Sequence, residues 1–294
     1  MDSFLIGGHV SASGGILKAF DNAKEIGATY AQIFTQSPRM WRSTKISDED
    51  AETFRSRLSD SSVPLAGVVT HASYLINLAS MDSGIFSKSQ NALASNVESA
   101  FRIGAQAVVL HVGSHKGLGL DAVLDQIVDS ISSAISGLGE NCRLLLENTA
   151  GQGGSVGVDF KEIKRIIDGL GGDQRIGVCI DTQHLFASGV SFSSIDEADK
   201  VMEMIDETIG LLRIGCIHLN DSKVPQGSFR DRHENLGQGF IGESALANFI
   251  SHPTLREVPI ILEVPGSGDG PREADIKKAK NIMKHGLKAR ANQH

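Results

Sequence analysis

Cysteine is scarce in this chain of 294 residues. The sequence has only Cys142, Cys179 and Cys216, and none of them forms a Cys-X-X-Cys pair. Cys179 and Cys216 lie inside apolar runs. We therefore expect buried, reduced thiols rather than zinc ligands.

Long apolar runs and an excess of positive charge are also lacking. No segment approaches the ~18 apolar residues that a membrane span needs, and the opening MDSFLIGG lacks a basic region followed by a long apolar stretch. We expect a soluble, cytoplasmic protein without a signal peptide. The formal net charge of −7 argues against nonspecific binding of nucleic acid through basic tails. A nucleic-acid site would have to be locally positive, and bound metal cations could make it so.

Apolar runs alternate with amphipathic segments along the whole chain, without a linker or low-complexity stretch. This repeated βα pattern predicts a parallel sheet. Strands are predicted at 4–10, 31–36, 65–71, 107–111, 143–147, 176–181, 213–218 and 258–263. We expect one domain over residues 1–287, followed by a short C-terminal tail over residues 288–294.

Six of the eight apolar runs end on a side chain that can bind metal. These six residues are His71, His111, Glu147, Asp181, His218 and Glu263. The carboxyl ends of barrel strands are where barrel enzymes keep their chemistry. In an open sheet the outer strand ends would lie too far apart to meet. The pattern therefore favours an α/β fold of the closed (β/α)8 TIM-barrel type.

Three further candidate ligands lie beyond the strand ends. His184 follows Asp181 by three residues, and Asp231 and His233 lie two apart, so an extended segment would point both to one side. Imidazole and carboxylate without thiolate suit zinc or manganese in a hydrolytic site. A single His is more simply explained by hydrogen bonding, but six converging strand ends favour a multinuclear metal site.

The segment Gly237–Gly242 matches the Gly-X-Gly-X-X-Gly pattern of dinucleotide-binding loops. Such a loop should directly follow a strand, whereas the preceding residues, DRHEN, are polar and charged. We interpret the segment as a turn that enters a helix. In a barrel, such a turn could also receive a phosphate.

Five motifs make the chain resemble the endonuclease IV family of DNA repair. They are GGHVSASGG (7–15), HASYLINLAS (71–80), LLLENTAGQG (144–153), GVCIDTQHLFASG (177–189) and the segment 218–242 with HLNDSK and FRDRHENLGQGFIG. The resemblance runs nearly from end to end and implies a TIM barrel with three zinc ions. It also implies an abasic-site endonuclease, a deoxyribonuclease IV of the phage-T4-induced type.

The resemblance implies how the nine ligands would be shared among three Zn²⁺ ions, with Mn²⁺ as an alternative at one or more sites. His71, His111 and Glu147 would hold the first ion. Glu147 would bridge to the second, together with Asp181, His218 and Glu263, and the third would take His184, Asp231 and His233. A hydroxide between the first two ions would attack the phosphorus, which makes Glu147 the catalytic residue. The products would be a 3′-hydroxyl and a 5′-deoxyribose phosphate, and the same chemistry would clean blocked 3′ ends.

The resemblance further implies that Arg39, Tyr74 and Leu75 penetrate duplex DNA at the lesion, where a missing base makes flipping easier. From the residues alone, Tyr74 and Leu75 could equally pack at the start of a helix. Five other cations are candidates for phosphate contacts or for an ordinary solvated surface: Arg42, Lys116, Lys223, Arg230 and Arg232. No membrane partner is expected, and a monomer suffices because one chain supplies the whole site.

Two positions depart from the family pattern without replacing a ligand: Gln183, where the family often has Cys, and Val112, where it often has Pro. They put the local loop geometry in doubt. The main alternative is a metal-dependent sugar isomerase or epimerase on a related barrel, which uses fewer His ligands and lacks the third set. A non-catalytic DNA-binding module would not need nine ligands.

Overall fold

Eight parallel strands close into a barrel in a computed structural model that describes residues 4–42, 45–136, 138–139 and 141–293. The barrel strands are β1 (Ile6–His9), β2 (Tyr30–Ile33), β3 (Val68–His71), β4 (Ala107–Leu110), β5 (Arg143–Glu147), β6 (Ile176–Asp181), β7 (Ile214–His218) and β10 (Ile260–Leu262). Each pairs in parallel with its neighbours, and β1 closes the ring against β10. The predicted TIM barrel is confirmed.

The helices that the described residues form follow the predicted alternation. They are α1 (Lys18–Glu25), α2 (Asp48–Ser59), α3 (Ser83–Ile103), α4 (Leu124–Ile135), α5 (Phe160–Gly169), α6 (Thr182–Ala187), α7 (Ile195–Thr208), α8 (Gly242–Ile250) and α9 (Glu273–Ala291). Helix α9 continues beyond 287, the predicted end of the domain. The last residue of the predicted tail, His294, lies outside the described residues. Within these residues, the helices are too short or too polar to cross a membrane.

A short antiparallel hairpin is absent from the sequence prediction. Its strands, β8 (Asp221–Ser222) and β9 (His233–Glu234), follow β7 and stand beside the mouth of the barrel. Two-residue strands carry too little alternation to be recognised in a sequence. The hairpin matters because it places His233 next to the ends of the barrel strands.

Apolar side chains fill the inside of the barrel as well as the layer between its strands and helices. The inner cluster includes Val109, Leu145, Cys179 and Cys216, all fully buried. All three cysteines are buried and free, which confirms the buried thiols predicted for Cys179 and Cys216. Burial raises the pKa of the Cys142 thiol to about 12. The barrel is therefore a packed core.

Gly7 in β1 shows how tightly the strands approach. A Cβ atom at this position would lie 1.5 Å from the backbone oxygen of Tyr30 in β2. Only glycine permits this contact, so the GGH motif serves strand packing as well as the mouth of the barrel.

Candidate metal centre

One group of potential ligands joins the buried Cys179 and Cys216 to His218. Three other overlapping groups, made of imidazoles and carboxylates, meet at the carboxyl ends of the strands. They are His71, His111 and Glu147; Glu147, Asp181, His218 and Glu263; and Asp181, His184 and His233. Within each group, one ligand atom per residue lies within 4.8 Å of the others. All six predicted strand-end residues thus come together.

Asp231 stands at the edge of the third group. One carboxylate oxygen lies 3.3 Å from Nε2 of His184 and the other 3.4 Å from Nε2 of His233. Its side chain is half exposed, unlike the buried Asp181. The nine residues singled out in the sequence therefore occupy one continuous site.

Glu147 lies at the centre of this site. Its Oε2 is 3.3 Å from Nε2 of His71 and 3.2 Å from Nε2 of His111, while its Oε1 is 2.9 Å from Nδ1 of His218. Burial opposes the charge on this carboxylate, but His111 and His218 hold its pKa well below the usual range. Glu147 is therefore an ionised group whose two oxygens serve two different groups of histidines.

Two of the histidines are fixed by backbone carbonyls, which can only accept hydrogen bonds. Nδ1 of His71 donates to the carbonyl of Ala72 at 2.7 Å, and Nδ1 of His184 donates to that of Asn148 at 3.0 Å. Each ring then turns Nε2 toward a carboxylate, Glu147 for His71 and Asp231 for His184. Metal-binding histidines are commonly fixed in this way.

His233 gives the clearest indication that a cation fits here. Its Nδ1 faces the carbonyl of Glu263 at 3.4 Å, and its Nε2 is buried without a hydrogen-bond partner in the part of the chain that the structure describes. That nitrogen lies 3.4 Å from Asp231 and 3.5 Å from Asp181. A ring nitrogen among carboxylates suits a bound divalent cation.

Positive charge is favoured at two histidines of the centre, His184 and His218, whereas burial lowers the pKa of His111. Burial lowers the pKa of both His184 and His218, but nearby acidic groups outweigh it and raise the pKa well above the usual value. Asp181 dominates the effect on His184, whereas Cys179 and Glu263 dominate the effect on His218. The donor set thus favours divalent cations bound at these nitrogens and carboxylates.

Two asparagines that the sequence analysis did not single out hold Asp181 in place. Asn148 accepts the Asp181 N–H at 2.7 Å, and Asn220 donates to the Asp181 Oδ2 at 2.7 Å. The free Asp181 oxygen caps α6 by accepting the N–H of His184 at 2.8 Å. The only indication in the sequence was their position, one and two residues after the strand-end residues Glu147 and His218.

Comparison with known proteins identifies the family. A family model described as a xylose isomerase-like TIM barrel matches residues 20–285. A relative from Halothermothrix orenii named probable endonuclease 4 is 39% identical over 261 residues, which cover 88% of this chain and 93% of the relative. The chain belongs to the endonuclease IV family. Another such relative, from Thermosipho melanesiensis, is 36% identical over 278 residues, or 95% of this chain and 98% of its own length.

Solved structures agree with this membership of the endonuclease IV family. Endonuclease IV from Thermus thermophilus superimposes with a TM-score of 0.81 at 32% identity, over 95% of this chain and 99% of that one. A D-tagatose 3-epimerase-like protein has a TM-score of 0.65 at only 19% identity, over 98% of this chain and 99% of that one. That second similarity shows the shared barrel fold and no more.

The residues that the endonuclease IV resemblance assigns to DNA lie around the mouth. Tyr74 is 54% exposed. Its ring packs edge-on against Phe34 and at a tilt against His71, with ring centres 5.2 Å apart in both pairs. It lines both a cavity of about 710 Å³ and one of about 520 Å³. Tyr74 and Leu75 lie in a turn between β3 and α3, not at the start of a helix.

The loop that carries exposed Arg39 is tied to this turn, because Ser73 Oγ donates to the carbonyl of Pro38 at 3.0 Å. Leu75 is half-buried beside Tyr74. The five other candidate cations, Arg42, Lys116, Lys223, Arg230 and Arg232, are all exposed. Their contacts with DNA remain predictions.

The glycine segment Gly237–Gly242 proves to bind a carboxylate of the protein itself. The N–H groups of Gly237, Gly239 and Ile241 donate to buried Asp221 at 2.8, 3.1 and 2.9 Å. The predicted turn into a helix is confirmed by α8. These N–H groups are occupied, so the phosphate considered for this loop is not needed to satisfy them.

Gln183, one of the two departures from the endonuclease IV pattern, connects two parts of the site. Its Nε2 donates to the carbonyl of Arg230 at 3.0 Å and to Ser222 Oγ at 3.2 Å. It thereby ties α6 to the hairpin that carries His233. Val112, the other departure, is buried, and its carbonyl accepts the Leu78 N–H at 2.9 Å. Neither side chain displaces a ligand candidate.

Proposed function

We propose that this chain is a DNA-repair endonuclease that hydrolyses the phosphodiester 5′ to abasic sites in duplex DNA. The products are a 3′-hydroxyl and a 5′-deoxyribose phosphate, and the same site removes blocking groups from 3′ ends. The observation that carries the proposal is Glu147, whose two oxygens engage histidines of different ligand groups. Such a shared carboxylate suits a multinuclear centre for phosphoryl transfer.

We assign three Zn²⁺ ions to the centre, with Mn²⁺ as an alternative at one or more sites. His71, His111 and Glu147 would hold the first, and Glu147, Asp181, His218 and Glu263 would hold the second. His184, Asp231 and His233 would hold the third. Bound zinc supplies Lewis acidity, which lowers the pKa of a water nucleophile and offsets negative charge on the phosphate and the leaving oxygen.

The protein contributes orientation around these ions. Glu147 stays ionised because of His111 and His218, so it can serve both ligand groups at neutral pH. Tyr74 is supported by Phe34 and His71 and stands between two cavities, where its ring can fill the gap left by a missing base. One chain supplies all nine ligands, so we propose that it acts as a monomer.

A nicking assay tests the proposal. Purified protein with a measured metal content is incubated with a duplex that carries one tetrahydrofuran abasic analogue. We expect a single cut on the 5′ side of the analogue and no cut in the matched intact duplex. Fully metal-loaded protein that leaves the analogue duplex intact would overturn the proposal. A second substrate with a 3′-phosphate tests the 3′-end-cleaning activity separately.

A further inference from the structure

Gln32 is a fully buried amide in the middle of β2, surrounded by the site yet outside its nine ligands. Its Nε2 donates to Oε1 of Glu263 at 2.7 Å and approaches Nδ1 of His9 at 2.9 Å. Its Oε1 lies 2.8 Å from Nε2 of His218. One side chain therefore joins two ligand candidates that come from different strands.

The chemistry of these partners fixes which way the amide points. A carboxylate can only accept hydrogen bonds, so the end of Gln32 that faces Glu263 must be the NH₂ group. The other end is then the amide oxygen, which can only accept. Nε2 of His218 must therefore carry a proton. This conclusion follows from the partner Glu263 and needs no assumption about the histidine.

The remaining nitrogen of His218 faces the centre of the site. Its Nδ1 lies 2.9 Å from Oε1 of Glu147 and 3.2 Å from Oε2 of Glu263. With Nε2 protonated, Nδ1 can offer its lone pair to a cation held by the same two carboxylates. Glu263 is oriented at the same time, because Gln32 occupies its other oxygen.

We propose that Gln32 is a positioning residue for the second metal ion. It holds His218 in the tautomer that carries the proton on Nε2, and it aims His218 Nδ1 and Glu263 Oε2 at one point. This inference rests on the proposed function for the existence of that ion. It adds a residue that touches neither metal nor DNA and acts only through His218 and Glu263.

The test compares Gln32→Met with Gln90→Met. Methionine has nearly the shape of glutamine but forms none of the three contacts. Gln90 lies on α3 and donates to Ser130 on α4 at 3.1 Å, so its variant removes one amide contact far from the site. Zinc affinity is measured by competition with chelators of graded strength, and Co²⁺-substituted protein gives the visible absorption of the bound metal.

We expect Gln32→Met to bind one of its zinc ions roughly 10- to 100-fold more weakly, the usual effect of removing a partner of a metal-binding side chain. The Co²⁺ spectrum should change as well, whereas Gln90→Met should retain both wild-type properties. Unchanged zinc affinity in Gln32→Met, or an equal loss in Gln90→Met, would overturn the proposal. If Gln32→Met fails to fold, Gln32→Asn gives the same measurement, because its amide is too short to reach both partners.

The outcomes also separate this inference from the proposed function. If Gln32→Met weakens zinc binding but the wild-type protein leaves abasic duplex uncut, the positioning role stands and the proposed function is wrong. If the wild-type protein cuts abasic duplex but Gln32→Met binds zinc normally, the proposed function stands and the positioning role is wrong. Wild-type protein that binds neither Zn²⁺ nor Co²⁺ overturns both.

Discussion

At the scale of single residues, replacement of Glu147 should lower turnover more than any other single substitution in the site. An amide in its place has one oxygen instead of two, so it cannot serve both ligand groups. We expect Glu147→Gln to lower turnover on abasic duplex by more than about 100-fold. Glu98→Gln makes the same chemical change on an exposed face of α3 and should leave turnover unchanged. Turnover near the wild-type value in Glu147→Gln would contradict its role as a bridge.

Replacement of Tyr74 should weaken the binding of abasic duplex more than it lowers turnover. Its ring is supported by Phe34 and His71, so it is presented to the DNA in a defined orientation. Loss of one stacking ring costs about 1–3 kcal/mol. We therefore expect Tyr74→Ala to bind abasic duplex roughly 5- to 150-fold more weakly. Tyr74→Phe keeps the ring and should bind like the wild type; fluorescence anisotropy with abasic and intact duplexes measures both.

At the scale of elements, the strand ends could be predicted because their pattern is local. An apolar run followed at once by His71 or Glu147 specifies both a buried strand and the direction of its last side chain. Gln32 could not be predicted in this way. Its partners His218 and Glu263 come within reach of β2 because the ring closes between β1 and β10, and no short segment of sequence contains that closure. The hairpin that carries His233 was missed because its strands have two residues each.

The conformation of the loop between β9 and α8 should depend on the carboxylate of Asp221. This buried carboxylate accepts the N–H groups of Gly237, Gly239 and Ile241, which no other described group accepts. Its removal would leave the buried N–H of Ile241 and the part-buried N–H groups of Gly237 and Gly239 without an acceptor. An unsatisfied buried donor costs about 1–3 kcal/mol, and a part-buried one costs less because water can reach it. We expect Asp221→Ala to lower the free energy of unfolding by about 3 kcal/mol, measured by urea denaturation.

Asp129→Ala is the matched control for that measurement, because Asp129 lies exposed on α4. Its free energy of unfolding should stay within about 0.5 kcal/mol of the wild type. If Asp221→Ala is as stable as this control, the carboxylate does not organise the loop. The glycine-rich sequence alone could not reveal this role, because a Gly-X-Gly-X-X-Gly segment binds a phosphate or a carboxylate with the same N–H groups.

At the scale of the whole molecule, the proposed function requires a protein of negative net charge to bind DNA, which is also negatively charged. The formal net charge is −7, and carboxylates make up much of the barrel mouth. Bound divalent cations would reverse the local sign there, next to the exposed cations Lys116, Arg230 and Arg232. We therefore expect chelation of the metal to weaken binding of abasic duplex as well as cleavage. Equal DNA affinity of metal-free and reloaded protein in anisotropy titrations would show that the other cations suffice.

Metal removal should also change how stability depends on pH. In metal-free protein, acidic neighbours raise the pKa of His184 and His218 above the ordinary 6.5. The stability from these protonated rings is complete below that ordinary value and is lost as pH rises through the raised values. Zinc takes the place of the protons, so its advantage grows with pH. We expect the gap in unfolding temperature between zinc-loaded and metal-free protein to exceed about 5 °C near pH 8 and to narrow toward pH 6. Thermal scans across this range measure the gap; one that stayed constant or narrowed as pH rose would show that protons and zinc do not compete for these rings.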